Sequence, residues 1–214
     1  MDGGLPGWTR PDQGVLFVLT GPSGVGKSTL IHAALARIPD LAFSVSATTR
    51  SPRPGERDGV DYHFIGRARF DELLRQGAFL EHATVYDHSY GTLRAPVREA
   101  IDQGRSILLD IDLLGARQVR STWPGAVHVM VLPPDVATLE ARLRARGTDG
   151  DEVIAARMAQ VAGQLVGVGE YDYLVVNDEL STAQRVLEGV LLAELSRRQR
   201  REGLVRAVLG QIGH

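Results

Sequence analysis

The chain has 214 residues, 43% of them hydrophobic, with no cysteine and a formal net charge of −2. That suits one domain, or a core with an insertion. Disulfides and thiolate metal sites are excluded, a reducing compartment is permitted, and no global positive field favours nucleic acid. No apolar run approaches the roughly 18 residues of a membrane span, and the N-terminus lacks the apolar stretch of a secretion signal. The expectation is a cytoplasmic protein with neither a membrane nor a nucleic-acid partner.

Residues 1–14 are rich in Gly and Pro, lack periodicity and read as a flexible tail. Residues 15–20, Val-Leu-Phe-Val-Leu-Thr, form an apolar run that predicts a buried strand. Gly21-Pro22-Ser23-Gly24-Val25-Gly26-Lys27-Ser28 follows and fits G-x-x-x-x-G-K-[ST]. Thr29 opens a stretch with helical apolar spacing that Pro39 ends. Strand, glycine loop and helix are the context that a phosphate-binding loop requires. The glycines let successive N–H groups turn toward phosphate oxygens, and the helix N-terminus adds its dipole. Lys27 would reach the β- and γ-phosphates, and Ser28 would offer a hydroxyl to Mg²⁺. The plain alternative is a glycine-rich turn before a helix. Against it, Lys27 is the only lysine among 24 basic residues. A compact ammonium stands where the rest of the chain uses planar arginine forks. A dinucleotide loop is excluded, because Ser23 and Thr29 fall where glycine would be needed.

Residues 42–46 alternate like a strand. The stretch 48–59 is punctuated by Pro52, Pro54, Gly55 and Gly59 and carries Arg50, Arg53 and Arg57. It is either a solvated charged loop or an anion site, since arginine forks match phosphate oxygens two at a time. Residues 60–64 predict a strand, 69–76 a short amphipathic helix ended by Gly77, and 79–86 another strand. Residues 93–103 predict a helix with Gly104 closing it. Residues 46–93 therefore read as a small α+β insertion.

Ser106-Ile107-Leu108-Leu109-Asp110 is an apolar strand ending in an acid. In phosphate-loop enzymes such an acid helps hold Mg²⁺; it could instead cap the next helix, though Asp112 is the better cap. Another buried strand at 127–132 stops at Pro133, and a helix at 135–146 ends in Arg142, Arg144 and Arg146. A turn at 148–151 leads to a helix at 152–166 carrying Arg157. These arginines are either solvated or a lid that closes cations over a nucleotide. Residues 173–178 predict the last core strand, and 182–201 a long helix with a solvated basic end. The histidines show no metal-ligand spacing.

Alternating strands and helices indicate an α/β fold with a parallel sheet covered on both faces. Ligands then sit at the carboxyl ends of the strands. The glycine loop, the arginine loop and Asp110 would converge there.

Taken together, these stretches resemble a guanylate kinase. The resemblance runs over about residues 15–201. It rests on the glycine loop, Ser-Val-Ser-Ala-Thr-Thr-Arg-Ser-Pro-Arg-Pro-Gly-Glu at 44–56, Phe-Leu-Glu-His-Ala at 79–83, Tyr-Gly-Thr at 90–92, Leu-Asp-Ile-Asp at 109–112, Arg-Gly-Thr at 146–148 and Val-Asn-Asp at 176–178. It implies a P-loop NTPase-type three-layer core, a nucleotide-binding insertion and a helical lid. The segments would be a tail at 1–14, core at 15–45, GMP-binding insertion at 46–93, core at 94–141, lid at 142–168, and core with the C-terminal helix at 169–214. The segment before Tyr90 is more polar than is usual in the family but leaves Tyr90 aligned.

The resemblance further implies transfer of the γ-phosphoryl group of ATP to GMP, and to dGMP, with Mg²⁺ accompanying ATP. Residues 21–29 and Asn177 would bind ATP. Arg50, Arg53, Tyr62 and Tyr90 would hold the GMP phosphate. Ser46, Glu81, Thr92 and Asp112 would read guanine. Asp110 would lie against GMP and, with Ser28, near the metal. Lys27, Arg50, Arg146 and Arg157 would stabilise the transferring group. Guanine offers N1–H and N2–H₂ donors that a carboxylate accepts, whereas adenine N1 is an acceptor that repels it. Two competing readings are an inactive phosphopeptide-binding relative, which typically has a degraded phosphate loop, and a related kinase for a ribose phosphate. The intact loop argues against the first, and Glu81 with Asp112 against the second. The resemblance leaves open whether the chain is a monomer or a homo-oligomer.

Overall fold

The computed structural model describes residues 8–85, 87–145 and 150–212. The chain runs β1 (Leu16–Thr20), α1 (Lys27–Arg37), β2 (Leu41–Phe43), β3 (Ala47–Thr48), β4 (His63–Phe64), α2 (Arg67–Arg75), β5 (Phe79–Val85), β6 (His88–Leu93) and α3 (Arg94–Asp102). It continues β7 (Ser106–Asp110), α4 (Leu113–Thr122), β8 (Val127–Leu132), α5 (Val136–Ala145), α6 (Asp151–Val166), β9 (Tyr173–Val176), α7 (Leu180–Leu195) and α8 (Glu202–Ile212).

Five strands form a parallel sheet in the order β2-β7-β1-β8-β9. Its central strands are continuous apolar runs because both faces are covered. Phe17 and Leu19 point to one face and pack with Leu30 and Ile31 of α1 and Leu187 and Leu191 of α7. Leu16 and Val18 point to the other and pack with Val97 and Ile101 of α3 and Ala116 and Val119 of α4. The period of two along β1 thus builds both halves of a three-layer core.

A four-stranded sheet, β4-β3-β6-β5, forms the insertion. Phe70 of α2 stacks on Phe79 of β5 with ring centres 4.5 Å apart, and both pack with Ala47.

Several elements differ from the sequence expectation. The strand expected at 42–46 holds only at 42–43: β2 ends at Phe43, residues 44–46 are not strand, and β3 begins beyond them in the second sheet. The chain leaves the core over 44–46, where the alternation continues without a ladder. The strand expected at 60–64 is only His63–Phe64. The helix expected at 182–201 stops at Leu195, and a separate α8 follows. Arginines cap that end: Arg200 donates to the Glu194 carbonyl at 2.9 Å and Arg201 to the Leu195 carbonyl at 3.0 Å. Arg200 also lies 3.2 Å from the buried Glu194 carboxylate. The basic end is therefore partly pinned to the core rather than solvated. Residues 8–14 are held as well. Trp8 and Arg10 both bond to Asp40, Gly14 N–H donates to the Ile101 carbonyl at 2.9 Å, and the Asp12 side chain accepts from Gly203 N–H at 2.6 Å. No helix among the described residues is long and apolar enough to cross a membrane.

Candidate active site

The glycine loop joins β1 to α1 at the carboxyl end of the parallel sheet. Gly26 has φ +95°, and a Cβ there would sit 2.5 Å from Asn177 Nδ2, so only glycine fits. Helix α1 starts directly at Lys27, with no side-chain cap and no acid in its first turn. Its first N–H groups therefore face the loop with no side-chain acceptor among the described residues, the arrangement that suits an anion. Lys27 Nζ donates to the Gly21 carbonyl at 2.8 Å and stands 3.7 Å from Asp110 Oδ1. Pro22 closes the loop by accepting from Val25 N–H at 3.3 Å. Thr29 lies in the first turn of α1.

Two cavities meet at the end of β7. One, of about 330 Å³, is lined by Gly21, Ser23 and Lys27 of the loop together with Asp110, Ile111 and Asp112. The other, of about 290 Å³, shares those last three and is lined by Ser46, Arg50, Arg53, Tyr62, Glu81 and Tyr90. Every residue expected at the GMP site thus faces one cavity, apart from Thr92. Thr92 stands behind it, opposite Glu81 in the β5–β6 ladder, and its hydroxyl donates to Glu81 at 2.6 Å.

The two ends of the second cavity differ in charge. At the acidic end Glu81 is only 5% exposed. Burial raises its carboxyl above the ordinary range, Thr92 opposes that rise, and Asp112 adds to it. Asp112 caps α4 by accepting from Gly115 N–H at 2.8 Å. Asp110 is likewise raised by desolvation, against the pull of Lys27. At the basic end the Arg50 fork meets Glu56 at 2.8 and 2.9 Å, and its guanidinium lies 5.4 Å from the Tyr62 ring centre. Glu56 also accepts from Arg53 N–H at 2.7 Å, and these bonds hold its carboxyl down to about 2. Burial raises the Tyr62 hydroxyl and keeps it a donor. Tyr62 meets Tyr90 edge-on at 5.9 Å.

From α6, Arg157 Nη1 donates to Ser23 Oγ at 2.9 Å. Arg142 donates to the carbonyls of Asn177 at 2.8 Å and Asp178 at 3.1 Å, tying α5 to the end of β9. Arg146 lies outside the described residues. Asn177 is 5% exposed, and its amide donates to the Val25 carbonyl at 2.7 Å. This bond seats Asn177, the residue expected beside adenine, against the glycine loop.

The residues near Lys27 suit Mg²⁺. Ser28 and Asp110 line one cleft, and both are hard oxygen donors. Mg²⁺ keeps several waters and needs one or two protein oxygens beside substrate phosphates. No group of three or more His, Cys, Asp or Glu is gathered for a metal among the described residues.

Two contributors escaped the sequence reading. Glu56 had a signal: a carboxylate at fixed spacing inside an arginine loop. Gln118 had none. Its amide accepts from His82 N–H at 3.0 Å and donates to the His82 carbonyl at 2.8 Å, beside Glu81.

Comparison with known proteins agrees with this geometry. The guanylate kinase family profile matches residues 13–194. A guanylate kinase of Sphingopyxis alaskensis is 50% identical over 194 residues, 90% of this chain and 88% of that protein. One of Anaeromyxobacter dehalogenans is 51% identical over 183 residues, 85% of this chain and 81% of that protein. A crystal structure of guanylate kinase from Anaplasma phagocytophilum superposes with a TM-score of 0.71 at 30% identity, covering 90% of this chain and 92% of that one. The chain belongs to the guanylate kinase family.

Proposed function

We infer that the chain transfers the γ-phosphoryl group of ATP to GMP, giving ADP and GDP. The observation that carries this reading is the meeting of two cavities at Asp110, Ile111 and Asp112. One is built for a polyphosphate. The other offers cations at one end and carboxylates at the other, which matches a nucleotide that carries a phosphate and a donor-rich base.

Residues 21–29 hold the ATP phosphates, with Lys27 as the local positive charge. Arg146 and Arg157 close from the lid. Arg50, Arg53, Tyr62 and Tyr90 bind the GMP phosphate. Ser46, Glu81 and Asp112 face the guanine, and Thr92 acts behind them by donating its hydroxyl to Glu81. Ser28 and Asp110 would hold Mg²⁺ from the protein side, and the ion would supply positive charge to the phosphates of ATP. Phosphoryl transfer asks for positioning and charge stabilisation more than for covalent help. The GMP phosphate is already an oxyanion, so the reaction needs no general base. Because dGMP carries the same guanine and phosphate that these residues would bind, it is a second acceptor in this reading. A cytoplasmic location fits both substrates. No observation favours a phosphopeptide or a ribose phosphate as the ligand.

The test is product stoichiometry. With ATP, Mg²⁺ and GMP, ADP and GDP should appear in equal amounts. ADP without GDP would mean hydrolysis and contradict the assignment.

A further inference from the structure

Strand β5 is an edge strand of the insertion sheet. Edge strands carry backbone N–H and C=O groups without ladder partners. At His82 both groups are taken by one side chain. Gln118 of α4 accepts from the N–H at 3.0 Å and donates to the carbonyl at 2.8 Å. A primary amide has one acceptor and two donors in fixed geometry, so it pairs with a backbone unit as another strand would.

The position of this pair matters. His82 follows Glu81 directly. On the other side of Glu81, Leu80 is buried in the core cluster with Ala116 and Val119 of α4. Glu81 itself packs on the same helix: a Cβ added at Gly115 would meet Glu81 Oε2 at 2.6 Å. The N-cap of α4 is Asp112. Helix α4 therefore holds both guanine-facing acids, one at its cap and one on its flank. Leu80 fixes the strand by apolar burial, which tolerates sliding. Gln118 fixes it by two directional hydrogen bonds, which do not.

We propose that Gln118 is a positioning residue for base selection: its amide sets the register of Glu81 against Asp112 and so the spacing at which guanine is read. The proposal rests on the guanine-reading role assigned above to Glu81 and Asp112. Gln118 touches no substrate. It acts through the backbone of β5.

The test is Gln118→Met, which keeps the length and packing of the side chain but removes both hydrogen bonds. The His82 backbone lies at the surface there, where water can replace the amide, so the fold should persist. Initial rates are measured with GMP and with inosine monophosphate, which lacks the 2-amino group, for the wild type, Gln118→Met and Glu81→Gln. Two hydrogen bonds of ordinary strength correspond to a rise of about 5- to 150-fold in the KM for GMP. The fall in kcat should be smaller, and the KM for ATP should hold. The preference for GMP over inosine monophosphate should fall by a similar factor. A purely structural role would shift both substrates' parameters together and leave the preference alone. An unchanged preference in Gln118→Met, or failure of that variant to fold, overturns the proposal. If Glu81→Gln also leaves the preference unchanged, the guanine-reading assignment itself is wrong; if only Gln118→Met does, the positioning role alone is.

Discussion

The Asn177 amide reaches from the end of β9 to the Val25 carbonyl at 2.7 Å, and this bond holds the apex of the glycine loop. Val25 is fully buried, so the loop is anchored from inside the protein. Arg142 fixes the Asn177 backbone in turn. Asn177→Ala leaves the Val25 carbonyl unpaired in an apolar setting, at a cost of about 1–3 kcal/mol. Asn177→Asp fails as well, because a carboxylate cannot donate. For both variants the KM for ATP should rise about tenfold while the KM for GMP holds. Equal effects on the two substrates would place Asn177 in general stability instead.

Glu81 combines a functional gain with a stability cost. Its carboxyl is raised above the ordinary 4.5 mainly by burial. A carboxyl raised in the folded state holds a proton that the unfolded chain has already released. The cost therefore appears as pH rises past 4.5 and is complete once pH passes the raised value. Glu81→Gln removes that charge. Its Tm should exceed the wild type's at pH 7, and the difference should shrink toward pH 4. The same variant should raise the KM for GMP about 10–100-fold, the worth of a charge-assisted hydrogen bond. A variant both less stable at pH 7 and normal toward GMP would contradict both statements.

The core was legible because its signals are local. The run at 15–20 and the loop at 21–28 specify strand, turn and helix within about twenty residues, and Asp112 caps α4 as its spacing suggested. The residues expected at the GMP site came from motif, and the fold brings all of them except Thr92 to one cavity. What sequence left out depends on long-range partners. Gln118 meets His82 across 36 positions, and Asn177 meets Val25 across 152. The pinning of residues 8–14 likewise rests on contacts such as Asp12 with Gly203, 191 positions apart, while the early end of α7 carries Arg200 and Arg201 side chains that turn back six positions to its last carbonyls. Local periodicity carries none of this.

Arg50 and Glu56 form a two-pronged pair at 2.8 and 2.9 Å. Glu56 fixes the plane of the guanidinium, which lies near the Tyr62 and Phe64 rings. Its removal has two opposed effects. It withdraws a negative charge from the phosphate end, and it frees the arginine to rotate. Glu56 is partly open to solvent, so the Coulomb gain is screened and the loss of orientation should dominate. Glu56→Gln should raise the KM for GMP about three- to tenfold, with ATP unaffected. Because the carboxyl stays ionised down to about 2, a weakening of GMP binding near pH 5 cannot come from this pair. Tighter GMP binding in Glu56→Gln would reverse the ranking of the two effects.

His128 sits in β8 with Nε2 enclosed and without a hydrogen-bond partner among the described residues. Burial, helped by Arg120, lowers its imidazole from the ordinary 6.5 to about 4. In that window the unfolded chain binds a proton that the folded chain refuses. Stability must therefore fall as pH drops from 6.5 toward 4, by a total on the order of 3 kcal/mol. His128→Leu should flatten this part of the stability–pH curve. Parallel denaturant melts at pH 7 and pH 4.5 check it, and an unchanged slope would show that other groups drive the acid loss.

The most direct measurement is ADP release from ATP and Mg²⁺ with GMP, AMP, CMP and UMP as parallel acceptors. Two carboxylates facing the base should discriminate by roughly 10²–10⁴. Turnover with GMP should therefore exceed that with each of the others at least about 100-fold. Comparable turnover with AMP would leave the phosphate loop in place and contradict base reading by Glu81 and Asp112.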